Sequence, residues 1–230
     1  LPYSRIAREY LLREGLPPDR IIRTGSPMKE VLQHYAQKIA SSDVLERLAL
    51  TPGRYFVVSA HREENGDDPS QFECLCETLD GLAAEHGIPV IMTTHPRTRK
   101  RFEAVNIRLN PLVRLCTPFG FTDYVRLQQQ AQMTLSDSGT ITEESSILGF
   151  PAVNIREAHE RPEGMEEAAV MMTGLRWNVI RQAMAIENAR AADSKRTVAD
   201  YDVDIVSTKV VRIIQSYVHY VNRVVWKKGA

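Results

Sequence analysis

Gln132-Met133-Thr134-Leu135-Ser136-Asp137-Ser138-Gly139-Thr140-Ile141-Thr142-Glu143-Glu144 is the stretch that decides how this chain folds. Gln132–Ser136 reads as a buried strand and Thr140–Leu148 as a helix, with no room between them for more than a tight turn. A strand that passes straight into a helix is one βα step of a parallel sheet. At such a step Ser138, Gly139 and Thr140 stand at the helix start. Unpaired backbone N–H groups and the helix dipole there favour an anion, a diphosphate above all. Gly139 lets the backbone approach a ligand closely, and the two hydroxyls add donors. Glu144 lies about one turn into the helix, within reach of ribose hydroxyls, as acidic residues do in dinucleotide sites. The same residues also make an ordinary N-cap, with Ser138 or Thr140 capping and the glutamates facing the dipole.

Working outward, the same alternation recurs along the chain. Short β-branched runs at Arg20–Thr24, Arg54–Ala60, Pro89–Thr94, Leu112–Cys116, Ala152–Ile155 and Val170–Thr173 read as strands. Between them, Pro27–Ala40, Pro69–Glu85, Pro96–Val105, Thr122–Gln130 and Asn178–Asn188 carry helical periodicity. Runs such as Tyr55-Phe56-Val57-Val58 and Val90-Ile91-Met92 are apolar at every position, as expected of strands covered on both faces. The pattern predicts an α/β fold, a Rossmann-like parallel sheet flanked by helices, over residues 25–200. Leu1–Gly15 reads as a strand exit and a helix closed by Gly15. Val206–Trp226 reads as one long C-terminal helix whose apolar residues are too broadly spread for one seam, so it is expected to pack on more than one neighbour.

Composition narrows the partners. The chain has 29 basic and 29 acidic residues, so no overall field draws it to nucleic acid or an anionic membrane. Any anionic ligand must be held by a local site. No apolar run reaches the ~20 residues that span a bilayer, and Leu1–Arg5 lacks the apolar core of a signal peptide. Cys74, Cys76 and Cys116 are three in number and read as reduced thiols of a cytoplasmic protein. Cys74-x-Cys76 has no second pair at zinc spacing, so no metal site is expected.

Three further polar segments leave strand ends. Ser59-Ala60-His61-Arg62-Glu63-Glu64-Asn65 follows one strand, and Thr94-His95-Pro96-Arg97 repeats a histidine after the next. Parallel sheets place ligands at their carboxyl ends, where His61 with Arg62 can donate to phosphate or serve as an acid near neutral pH. A plain polar loop with Arg62 in a surface ion pair accounts for the segment as well. Arg156-Glu157-Ala158-His159-Glu160-Arg161-Pro162-Glu163-Gly164 follows a third strand and is either a solvated charge run or part of the same cleft. Convergence of four such segments on strand ends favours one cleft.

His61-Arg62-x-Glu64-Asn65, Ser136-Asp137-Ser138-Gly139 with Glu143-Glu144, and Glu160-Arg161-Pro162-Glu163, in this order, resemble the non-hydrolysing UDP-N-acetylglucosamine 2-epimerases. The wording from Ser136 to Leu148 and from Asn154 to Gly164 resembles the subgroup that makes UDP-N-acetyl-L-fucosamine for capsule and O-antigen. The resemblance implies the C-terminal domain of a two-domain GT-B fold, with UDP-sugar bound between the domains. It implies that His61 is the catalytic histidine beside the diphosphate, and that Arg62, His95, Ser138, Gly139, Thr140, Glu144 and Arg161 contact UDP. Tyr124 falls at an aromatic position near uracil, and is equally well a core aromatic on its helix. The chain departs from the family at Thr140, where glycine is common, and at Glu63, where arginine is common. The second change makes the anion site less basic.

The implied reaction needs no metal and no nicotinamide. The implied partners are a UDP-sugar, a preceding N-terminal domain and a second copy in a homodimer. On this reading residues 1–24 are the last stretch of that N-terminal domain, residues 201–230 return to it, and the chain alone binds UDP without turning over sugar. A donor-binding domain of a GT-B glycosyltransferase, or a non-catalytic nucleotide-sugar-binding module, are the alternatives.

Overall fold

The computed structural model describes residues 1–60, 68–94, 96–105, 107–189 and 197–228. Two compact units are formed, one from residues 1–34 and 198–230, the other from residues 35–197.

The larger unit is built on six parallel strands: β1 (Phe56–Ser59), β2 (Val90–Thr93), β3 (Val113–Cys116), β4 (Met133–Ser136), β5 (Ala152–Asn154) and β6 (Met171–Met172). Their order across the sheet is β3-β2-β1-β4-β5-β6. This is the doubly wound, Rossmann-like order, so the Rossmann-like parallel sheet expected from the sequence is present. The chain steps outward from β1 to β3, then crosses to the other side of β1 to begin β4. The carboxyl ends of β1 and β4 therefore flank the point where the winding reverses, with Ser59 paired in register to Ser136. Open α/β sheets bind their ligands at that point.

Helices cover both faces because successive strand residues point to opposite sides. Phe56, Val58, Val90 and Met92 pack with Leu75, Leu79 and Leu82 of helix Pro69–His86 and with Ile180 and Met184 of helix Trp177–Asn188. Tyr55, Val57 and Ile91 pack on the other side with Val44 and Leu45 of helix Val44–Arg47 and with Leu127 of helix Phe121–Gln130. Each large aliphatic side chain buried in this way contributes about 1.5–3 kcal/mol. Pro69–His86 has clear local signals: Asp68 accepts from the Ser70 N–H at 2.8 Å, Pro69 opens the helix, and Gly87 closes it with φ +62°. Burial within this core pushes the Cys76 thiol up to about 11.

In the smaller unit, helix Arg5–Arg13 is capped by Ser4, whose hydroxyl accepts from the Ala7 N–H at 3.2 Å. Its two chain segments are tied by carboxylates. Asp200 accepts from Arg5 N–H and Arg23, and Lys29 Nζ lies 2.7 Å from Asp202 and 2.8 Å from Asp204. The strand expected at Arg20–Thr24 does not form. Pro18–Arg20 makes one 3-10 turn, and beyond it the Thr24 and Gly25 N–H groups bond the Pro2 and Tyr3 carbonyls, too short a partner for a ladder.

The C-terminal helix also differs from expectation. It runs as an α-helix over Val206–Tyr220 and then widens to π-type turns over Val221–Val225, where Trp226 N–H bonds the Val221 carbonyl. Only Val206 of Val206–Tyr220 is buried, while Val211, Ile214 and Val218 are about half exposed. Most of its apolar residues are therefore at least partly uncovered among the described residues.

Candidate functional site

The site is built where β4 ends. Asp137 N–H donates to the Ser59 carbonyl at 3.1 Å, which carries the β1–β4 pairing one residue past the strands. The chain then turns on its own hydroxyls. Ser138 N–H bonds Ser136 Oγ at 3.1 Å, Thr140 N–H bonds Ser138 Oγ at 3.3 Å, and the Ser138 and Thr140 hydroxyls lie 2.9 Å apart. Gly139 stands at the cap position, and helix Thr140–Leu148 follows. Ser138 Oγ thus makes the capping bond expected of it, and Thr140 is the first residue of the helix rather than its cap. Gly139 has an ordinary helical φ of −61°, so it is not required for its backbone angles. A side chain here would meet the Glu160 carboxylate, with Cδ only 2.8 Å from an added Cβ.

Charge is concentrated around this helix start. Glu143, in its first turn, accepts from Arg161 Nε at 3.0 Å. Arg161 follows β5 and also lies 3.6 Å from Glu160, and Arg156 pairs with Glu160. A carboxylate near a helix N-terminus is favoured by the dipole, and Glu160 stands where an anionic ligand would be favoured for the same reason.

Beneath the helix start lies a buried polar layer. Glu144 accepts from Gln128 Nε2 at 2.8 Å, and Gln128 comes from helix Phe121–Gln130. Burial raises the Glu144 carboxyl, while hydrogen bonds from Gln128 and Thr140 oppose the rise. Tyr124 sits one helical turn before Gln128 on the same face. Its ring packs against the Val57–Ile91–Leu127 cluster, and its hydroxyl is buried beside Ser59 and Ser136 without a well-formed hydrogen bond among the described residues. Burial is the main reason its phenol is held above the ordinary range. The ring of Tyr124 is thus a core aromatic, and its hydroxyl lies beside Ser59 and Ser136 at the ends of β1 and β4.

Of the residues singled out in the sequence, Ser138, Gly139, Thr140, Glu144, Tyr124 and Arg161 gather around this one helix start. His61, Arg62 and His95 lie outside the described residues. Sequence reading missed Gln128 and the placement of Glu160 against Gly139. The i, i+4 spacing of Tyr124 and Gln128 was a signal available for the first; nothing local announces the second.

Residues 1–215 match the UDP-N-acetylglucosamine 2-epimerase family. The chain belongs to that family. It is similar to the solved structure of UDP-N-acetylglucosamine 2-epimerase from Rickettsia bellii, with 44% identity and TM-score 0.90 over 98% of this chain and 61% of that one. The Methanocaldococcus jannaschii enzyme, solved in complex with UDP-GlcNAc and UDP, is 25% identical with TM-score 0.82, over 93% of this chain and 59% of that one. A further relative in the epimerase family is the UDP-2,3-diacetamido-2,3-dideoxy-D-glucuronate 2-epimerase of Pseudomonas aeruginosa, 29% identical over 84% of this chain and 51% of that protein. The chain thus spans between about half and three-fifths of the length of these relatives.

Proposed function

We propose that this chain is the UDP-holding part of an isomerase that inverts C2 of a UDP-N-acetylhexosamine. The observation that carries the reading is the meeting of the Ser138-Gly139-Thr140 helix start with Glu144 and Arg161 beside the β1–β4 switch point, in a member of this family. Ser138, Gly139 and Thr140 take the diphosphate, Arg161 balances its charge, Glu144 accepts from the ribose hydroxyls, and Tyr124 borders the uracil. Arg62 and His95 complete the UDP contacts. His61 is the acid–base group nearest the diphosphate.

In the proposed reaction a base removes the C2 proton, and the C1–O bond breaks with its electron pair leaving on the β-phosphate of UDP. A 2-acetamidoglycal with a C1=C2 double bond remains. UDP then re-adds at C1 while a proton is delivered to C2 from the opposite face. The negative charge that develops on departing UDP is what a helix start and a guanidinium stabilise best. No metal or nicotinamide enters the scheme.

The relatives differ in their named sugars, so the sugar is a finer part of the proposal. The wording of the Ser136–Leu148 and Asn154–Gly164 segments supports conversion of UDP-2-acetamido-2,6-dideoxy-L-talose to UDP-N-acetyl-L-fucosamine, for surface polysaccharide made in the cytoplasm by a homodimer. We also propose that residues 25–200 are the UDP-binding domain of a GT-B pair, that residues 1–24 and 201–230 belong with the other half, and that this chain alone binds UDP without turnover.

Titration of the chain with UDP up to millimolar concentration tests the site, and a flat signal removes it. For the whole enzyme, incubation with the UDP-sugar in deuterated water is expected to place deuterium at C2. Transfer of sugar to an acceptor with no exchange at C2 would instead identify a glycosyltransferase.

A further inference from the structure

We propose that Gln128 is a positioning residue, which fixes the Glu144 carboxylate for recognition of the ribose diol. The inference rests on the uridine site proposed above and adds to it a residue that does not touch the ligand. Gln128 is 1% exposed, and a carboxamide so placed is costly unless its polar atoms are used. Its Nε2 donates to Glu144 Oε2 at 2.8 Å. Only the nitrogen end of the amide can donate to a carboxylate, so chemistry decides which way round the group lies. That leaves Gln128 Oε1 buried and without a hydrogen-bond partner among the described residues. An apolar side chain of similar size would avoid this penalty, so the amide is there for what it does to Glu144.

Glu144 is itself 7% exposed, about one turn into its helix, and it needs to stay ionised to accept from two hydroxyls. A carboxylate offers about four acceptor sites, of which Gln128 and the Thr140 hydroxyl take two. The remainder suits a vicinal diol. Burial works against the charged form, and the Gln128 bond works for it. Tyr124 stands one turn earlier than Gln128 on the same helix face.

The test compares UDP with 2′-deoxy-UDP as competing ligands of the 230-residue chain, in wild type, Gln128→Met and Gln128→Asn. Methionine keeps the volume and removes the donor; asparagine keeps the amide and shortens its reach by one methylene. Loss of a hydrogen bond to a charged group is worth about tenfold or more, so wild type is expected to prefer UDP by about that factor. Both variants are expected to lose most of that preference, with a smaller loss of affinity for 2′-deoxy-UDP, which keeps only its 3′-hydroxyl for Glu144. In a Glu144→Ala background Gln128→Met is expected to have no further effect on the ratio, because it acts through Glu144. Retention of the wild-type ratio by both variants, or an equal loss of affinity for both ligands, overturns the role of Gln128 and leaves the uridine site standing. A wild-type chain that binds UDP and 2′-deoxy-UDP equally overturns the ribose reading and the inference with it.

Discussion

Arg161 Nε donates to Glu143 Oε1 across 3.0 Å, which fastens the segment after β5 to the first turn of helix Thr140–Leu148. The two partners are unequally placed: the Glu143 side chain is 3% exposed and that of Arg161 is 23% exposed. Removing the arginine withdraws a charged donor from a carboxylate that water scarcely reaches. Neutralising the glutamate leaves a guanidinium that is still partly hydrated and still near Glu160. Arg161→Ala is therefore expected to cost about 1–3 kcal/mol in urea denaturation, and Glu143→Gln less than about 1 kcal/mol. Arg161→Ala should also weaken UDP binding, whereas Glu143→Gln, which removes one competing negative charge from the guanidinium, should leave it equal or stronger. Equal destabilisation by the two would show that burial of the carboxylate does not govern the pair.

Glu144 sets a pH dependence. Burial holds its folded-state value above the ordinary 4.5, so the folded chain retains a proton that the unfolded chain releases. This group's contribution to stability is greatest below pH 4.5 and declines as pH rises through the raised folded value. Glu144→Gln is expected to stabilise the ligand-free chain at pH 7 and to flatten this part of the stability curve. UDP affinity runs the other way, because a protonated carboxyl is a poorer acceptor for ribose. It should fall on acidification in wild type with a component missing from Glu144→Gln. Parallel curves for the two proteins, in denaturation and in titration, would sink the assignment.

Gly139 separates stability from binding. Its backbone angles suit any residue, and the atom a Cβ would strike is the end of the Glu160 side chain, which can move. Gly139→Ala is expected to cost about 1 kcal/mol or less in thermal unfolding, the scale of a cap substitution. The methyl would nonetheless stand at the helix start, where the diphosphate must come close to backbone. A loss of UDP affinity of about tenfold or more, about 1.4 kcal/mol, is expected by calorimetry. Unchanged affinity would mean the diphosphate does not approach this residue.

Gly81 reverses a local expectation. It lies within helix Pro69–His86, where alanine is better than glycine by about 1 kcal/mol. An added Cβ, however, would fall 2.5 Å from Cε2 of the Trp177 indole, a rigid ring that opens the next helix on this face. Overpacking of this kind costs about 1–3 kcal/mol and should win. Gly81→Ala is expected to lower the melting temperature, and Gly81→Ala with Trp177→Leu to recover part of the loss. A rise in melting temperature for the single variant would show that the helices simply move apart.

Much of the fold was legible because its signals are local. The apolar runs at Phe56–Ser59, Val90–Thr93 and Met133–Ser136 announce strands buried on both faces, and Asp68-Pro69 and Gly87 mark the ends of a helix within a few residues. The Ser138-Gly139-Thr140 helix start is equally local, since chain direction alone puts its N–H groups at the end of β4. Arg20–Thr24 misled because a β-branched run says nothing about whether a partner strand exists, and here the run meets Pro2 and Tyr3 rather than a strand. Tertiary structure alone decided which side chains meet across long stretches of chain. It set Gln128 against Glu144, Arg161 against Glu143, Glu160 over Gly139 and Trp177 on Gly81. Spacing along a sequence sets the face an element presents, but the neighbour it faces depends on strand order. The reversal of winding between β1 and β4 brings these distant residues to one helix start, and no local pattern encodes that reversal.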